Sequence, residues 1–166
     1  SVHYIDGDSE EKRWDIDNPK HAKRDVAGPG ATAEVCEAYW ETYRSAVASG
    51  LFDLMGHPDL PKKFGNRPDG DLRRYYEPVI EAAKEADVAI EINTAGWHKE
   101  AHEQYPAREF LELMCEAGIP LSISSDAHAP TEVGRDFARA VRLANEVGFT
   151  ETVRFDGRRR TAVPLA

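Results

Sequence analysis

The chain has 166 residues and a formal charge of −9 at pH 7, with 31% charged and 41% hydrophobic residues. That length allows one domain with a sizeable core, and the acid excess argues against a nucleic-acid phosphate backbone as the main partner. No apolar run approaches the ~20 residues that span a bilayer and no signal-peptide pattern is read at its start, so a cytoplasmic protein with no membrane partner is expected.

The first element is an apolar run, "SVHYI", residues 1–5, read as a strand. The chain begins inside that strand, with no methionine and no lead-in, and is expected to be a fragment or trimmed product. A polar loop runs on to Gly30. Connections of that length in compact domains are usually functional or mobile, so a substrate lid is expected there. Thr32 offers an N-cap, and Cys36, Tyr39, Trp40, Tyr43 and Val47 make an apolar stripe at helical spacing that Gly50 ends. The second run, "LFDLMG", leads through "HPDLPKKFGNRPDG" into a helix from about Leu72 to Ala86, which Pro78 should kink or split. The third, "VAIEIN", is followed by a helix opening near Pro106 and carrying Phe110, Leu113 and Met114. The fourth, "PLSISS", precedes a helix expected to carry Val133, Phe137, Val141, Ala144 and Val147 before Gly148. In the tail, Asp156-Gly157 between alternating segments signals a hairpin. The two cysteines, Cys36 and Cys115, fall in helical patterns and are expected as reduced thiols.

Four strand–helix repetitions imply an α/β fold with parallel strands, whose carboxyl-end loops carry the chemistry. The two-residue period of strands sorts the side chains. Leu121 and Ile123 oppose Ser122, Ser124, Asp126 and His128; Val88, Ile90 and Ile92 oppose Glu91 and Asn93; Phe52 and Leu54 oppose Asp53, Met55 and His57; Val2 and Tyr4 oppose His3. The apolar faces, Tyr4 and Ile123 included, are expected against helices. On the inward faces His3, Asp53, His57, Glu91, Asp126 and His128 need partners, because buried charges are not left unpaired. Imidazole and carboxylate together suit zinc, manganese or iron.

In this order, "SVHYID", "GHPDLPKKFG", "EINTAG", "YP" and "SSDAHAPTEVG" resemble the later motifs of the polymerase and histidinol phosphatase (PHP) superfamily, and within it the histidinol-phosphate phosphatases. The match spans about Ser1 to Gly134. The resemblance implies that residues 1–166 are a partial PHP domain, the C-terminal four β/α units of a distorted seven-stranded (β/α) barrel. It implies three divalent metal ions (zinc, manganese or iron) and hydrolysis of L-histidinol phosphate to histidinol and phosphate, in histidine biosynthesis. Carried over residue by residue, the metal ligands fall on His3, His57, Asp126 and His128, of which Asp126 and His128 are also assigned to catalysis. The opening His-x-His motif, a further histidine and a bridging glutamate are not found before Ser1. "AGWHK" departs from the branch, where a leucine–arginine pair precedes the lysine; His98 could donate one hydrogen bond there.

For a phosphomonoester dianion the candidate cations are Lys62, Lys63, Arg67, Lys99 and Arg135, with His98, all just after strand ends. Arg158 to Arg160 read as one face of a hairpin, and His21 and His102 as solvated. Two alternatives stay open: another PHP phosphoesterase, and a non-catalytic metal-binding subunit completed by another polypeptide. Four parallel strands do not close a barrel, so the chain is expected with a preceding segment of the same barrel or with another copy, and Met55 would otherwise face water.

Overall fold

The computed structural model describes residues 1–6, 13–21 and 31–165. Its frame is a three-stranded parallel sheet of β3 (Leu54–Met55), β4 (Ala89–Asn93) and β5 (Leu121–Ser124), with β4 in the middle. In register, Leu54 faces Ala89, and Ile90 to Asn93 face Leu121 to Ser124. Every residue of β4 is buried, as expected for the central strand of a parallel sheet covered on both faces.

Two further strand pairs flank this sheet. β1 (Tyr4–Asp6) pairs antiparallel with β2 (Arg13–Asp15), so the first apolar run does not join the parallel sheet as a fourth strand. The strand phase also differs from the expectation. Ile5 is 1% exposed and Tyr4 is 70% exposed, because in this short pair Ile5 packs opposite buried Trp14 while Tyr4 turns to solvent. At the other end, β6 (Glu151–Asp156) and β7 (Arg159–Pro164) form the expected hairpin, with Gly157 at φ 59° in the turn. Arg158 grips the Asp53 carboxylate at 2.9 and 3.1 Å, and Arg160 reaches the Asp87 carboxylate at 2.7 Å. The arginine run is thus tied to neighbouring elements, and Asp53 is turned away from the inward face assigned to it.

Helices α1 (Ala31–Ala48), α2 (Arg73–Ala86) and α3 (Arg108–Ala117) meet over an aromatic cluster. The stripe Cys36, Tyr39, Trp40, Tyr43 and Val47 is buried throughout. Trp40 stacks on Phe110 at 5.5 Å between centroids and meets Tyr76 edge-on at 5.1 Å, geometries that stabilise beyond the area buried. Thr32 lies inside α1 rather than capping it. α2 runs through Pro78 without interruption, since its buried face of Tyr76, Val79, Ile80 and Ala83 holds the helix against the cluster. α3 ends where Gly118 takes φ 72°. α4 (Phe137–Val147) starts later than the spacing suggested, leaving Val133 outside it and 75% exposed. Met55 is 1% exposed within the core, contrary to the expectation that it would face water. Both cysteines are free thiols. Among the described residues no helix is long and apolar enough to cross a membrane.

One glycine is sterically obligatory. A Cβ on Gly96 would collide with the Glu103 carbonyl oxygen and lie 3.1 Å from the Tyr105 ring. Gly96→Ala is expected to cost about 1–3 kcal/mol by overpacking, read as a lowered midpoint in thermal unfolding.

Candidate active site

The three parallel strands end at one mouth, where a cavity of about 670 Å³ opens, within the size range of small-ligand sites. Each strand end delivers part of it. After β3, Gly56 lets the chain pass close to Glu91, since a Cβ there would lie 3.3 Å from Glu91 Oε1. His57 follows at φ 27°. After β5, Asp126 sits at φ 49° and the chain bends back to His128. Left-handed backbone at two non-glycine residues is the kind of strain that clusters at functional sites.

The lining includes His3, His57, Asp126 and His128, so the structure brings all four expected metal-ligand candidates to one cavity. The His3 and His57 rings meet edge-on at 4.7 Å. Glu91, placed on the inward face by strand alternation but not counted among the ligand candidates, lines the same space. It accepts from the His57 backbone N–H at 2.7 Å and from Asn93 Nδ2 at 2.8 Å, and Asn93 Oδ1 accepts from the Ala95 N–H at 3.0 Å. Tyr39 Oη donates to the His57 carbonyl at 3.3 Å. The His57 turn is therefore pinned from the sheet and from α1.

The imidazoles are set up to present lone pairs. His128 Nδ1 lies 2.8 Å from the Asp126 carbonyl oxygen; a carbonyl only accepts, so Nδ1 carries a proton and, in the neutral ring, the lone pair is on Nε2. His3 Nδ1 meets the Asp17 carboxylate, with the same consequence. His57 is 6% exposed, and its Nδ1 has no hydrogen-bond partner among the described residues. Burial, then the neighbouring His3, pushes the His57 imidazole down from its ordinary value, keeping it neutral. Burial pushes the Glu91 carboxyl up, against the hydrogen bonds from Asn93 and His57. An orphaned buried nitrogen beside further imidazoles and carboxylates is a donor set that suits a divalent transition metal. Among the described residues, no three histidine, cysteine, aspartate or glutamate side chains close into a ready metal cluster, so further donors would complete a shell.

The expected cations divide. Lys63, Lys99 and Arg135 line the cavity. Lys62 and Arg67 do not. Lys62 is 2% exposed, with Nζ at 2.6 Å from Asp59 and 2.8 Å from Glu103, and Arg67 binds Glu103 at 2.7 Å. The short 3₁₀ turn Leu60–Phe64 sends the adjacent lysines in different directions. His98 is likewise drawn off, its Nε2 lying 2.6 Å from Asp136 Oδ2. Arg135 pairs with Glu132 at 3.4 Å and keeps a buried Nε with no partner among the described residues.

Asp17, Tyr105 and Glu132 also line the cavity and were not foreseen. Asp17 comes from the segment read as a lid; residues 7–12 and 22–30 of that segment lie outside the described residues. His21 is half-buried there, accepting the Asp15 N–H at 3.1 Å, rather than solvated; His102 is exposed as expected.

No family model matches the chain. It is 38% identical over 152 residues to a Deinococcus radiodurans protein named Probable histidinol-phosphatase, covering 89% of this chain and 53% of that protein. Among solved structures it is similar to one named "putative histidinol phosphatase hisK" from Listeria monocytogenes, with TM-score 0.70 and 24% identity over 83% of this chain and 55% of that one. It is also similar to the histidinol phosphate phosphatase of Lactococcus lactis complexed with zinc, L-histidinol and phosphate, with TM-score 0.60 and 18% identity over 82% of this chain and 54% of that one. The chain thus spans about half the length of the relatives it matches, and with the two structures it shares an α/β fold.

Proposed function

We propose, on the premise that the chain is a partial-length homologue of proteins named histidinol-phosphatase, that it forms part of a cytoplasmic, metal-dependent phosphomonoester hydrolase. L-histidinol phosphate is the substrate this reading names, with L-histidinol and phosphate as products. The observation that carries it is the single cavity lined by His3, His57, Asp126, His128, Lys63, Lys99 and Arg135 at the carboxyl ends of the strands. The remaining units of the barrel, and the donors that complete a metal shell, come in this reading from sequence beyond the chain or from another copy.

His3, His57, Asp126 and His128 would hold divalent ions (zinc, manganese or iron), with Glu91 poised behind His57. When bound, such ions lower the pKa of a bound water, orient the phosphate and stabilise developing charge. The chain's own side chains supply the rest. Lys63, Lys99 and Arg135 offer the phosphate dianion charge-assisted hydrogen bonds. The Asp126 carboxylate balances positive charge in the cavity, and the carbonyl of the same residue fixes the His128 tautomer. Leu60 and Ala95 give the cavity apolar wall, which excludes water around the reacting phosphate.

The test is phosphate release from a panel of phosphomonoesters by the protein that carries this chain. L-histidinol phosphate should exceed the others in kcat/KM. A preference for an unrelated phosphate ester would move the assignment to another phosphoesterase, and no release from any of them would leave a metal-binding subunit. Arg135→Ala should raise KM for the preferred ester by about 10–100-fold, the loss of a hydrogen bond to a charged group.

A further inference from the structure

We propose that Asp17 is the positioning residue of this cavity: its carboxylate fixes the His3 ring with Nδ1 protonated and holds the Lys63 ammonium beside it. The inference rests on reading the cavity as the metal-dependent hydrolytic site and adds a residue that reading did not contain.

The placement is built by the backbone. Tyr4 to Asp6 pair with Asp15 to Arg13, and the Ile16 N–H donates to the His3 carbonyl at 2.9 Å, extending the ladder by one step. That step sets Asp17 alongside His3. Buried Trp14 and Ile16 anchor the strand from the core side. The Asp17 N–H donates to Asp15 Oδ1 at 3.1 Å, and the Asn18 N–H to the Asp15 carbonyl at 3.1 Å, closing the turn that aims the carboxylate into the cavity.

Both carboxylate oxygens are then used. Oδ2 meets His3 Nδ1 and Oδ1 meets Lys63 Nζ. These two partners stand 14 and 46 residues away in sequence. A carboxylate only accepts, so His3 must donate from Nδ1. In the neutral ring the lone pair is then on Nε2, and the Ser1 hydroxyl at 3.2 Å is its neighbour there. Although burial pushes the Asp17 carboxyl up, the bonds from Lys63 and His3 outweigh it and hold it below the usual carboxylate range. A carboxylate behind an imidazole raises the basicity of the opposite nitrogen and restricts ring rotation. His128 receives the same service from a carbonyl two residues away. For His3 it comes from Asp17, in the turn just after β2, so that turn contributes to the site by orienting it.

The experiment is a long-range 1H–15N spectrum of the histidine-labelled protein at pH 8, with His3 assigned by its loss in His3→Gln, alongside a zinc titration. In the parent, His3 should be the Nδ1–H tautomer. Asp17→Ala should give a mixture of tautomers and weaken zinc binding by about 10–100-fold, whereas Asp17→Asn, which keeps an acceptor, should retain the tautomer and much of the affinity. Lys63→Ala should leave the tautomer unchanged. An unchanged His3 tautomer in Asp17→Ala overturns the proposal even if zinc binding falls, because Asp17 would then act on the metal in another way. If Asp17→Ala does not fold, a His3 ring in the Asp17→Asn protein or the parent that is not Nδ1–H overturns it equally. A parent that binds no zinc while its tautomer depends on Asp17 would sink the metal-dependent reading and support the positioning role.

Discussion

Asp126→Ala should lower histidinol-phosphate hydrolysis by more than about 100-fold in the protein that carries this chain. The bound comes from comparison: losing a residue that merely supports a metal ligand costs about 10–100-fold in typical sites, and the proposed function counts Asp126 among the ligands themselves. The side chain lines the cavity with three imidazoles and three cations. Its removal leaves positive charge uncompensated and takes away a hard oxygen donor. The backbone contribution separates the effect from folding. Asp126 sits at φ 49°, a backbone that Asp and Asn tolerate better than Ala, so Asp126→Asn is the variant that holds the turn, and the carbonyl that accepts from His128 Nδ1 does not depend on the side chain. Asp126→Asn preserves the volume and should lose nearly as much activity with an unchanged circular dichroism spectrum. Activity within tenfold of the parent would show that Asp126 is not a ligand.

The second large effect is on stability. Lys62 holds two carboxylates, Asp59 and Glu103, while almost wholly buried. Asp59 also accepts the Ala107 N–H at 3.2 Å, tying the turn after β3 to the start of α3. Lys62→Met removes the charge and keeps the stem volume. It should cost about 3–5 kcal/mol, the price of breaking a buried pair from one side, seen as a fall of about 6–20 °C in the melting midpoint. The deficit should depend on pH with a definite sign. Burial already pushes the Asp59 carboxyl up, opposed by Lys62; without Lys62 it rises further above its unfolded value. The folded variant then binds a proton that the unfolded chain has released, so its stability increases as pH falls from 8 toward 5. Chemical denaturation of parent and variant at both pH values measures this. A deficit that does not change with pH would mean that Asp59 is not carrying the penalty.

The limits of sequence reading follow from the same residues. Strand alternation placed Glu91 inward because β4 runs in regular register in the parallel sheet; His57, Asp126 and His128 lie past the strand ends, and the left-handed turns at His57 and Asp126 bring them to the same cavity. It misplaced Tyr4 because the first run is a short antiparallel pair whose register is set by β2, a strand hidden in a highly charged segment. The helical stripes were legible because α1 and α2 each bury one continuous apolar face. Lys62 and Lys63 were indistinguishable in sequence: their fates depend on Glu103, 41 residues later, and on Asp17, 46 residues earlier. His98 was claimed by Asp136 in the same way, 38 residues on. Asp17 had no local signature at all, since nothing in its own segment reports that the backbone ladder will bring it beside His3.

The cavity is expected to work through bound divalent metal. Phosphate release from L-histidinol phosphate should be measured on the protein that carries the chain, first stripped with a strong chelator and then titrated with zinc, manganese or iron. Stripping should abolish release, metal should restore it, and His57→Gln should not be restored at metal concentrations that saturate the parent. Release that persists undiminished in the fully stripped protein would contradict this dependence on metal.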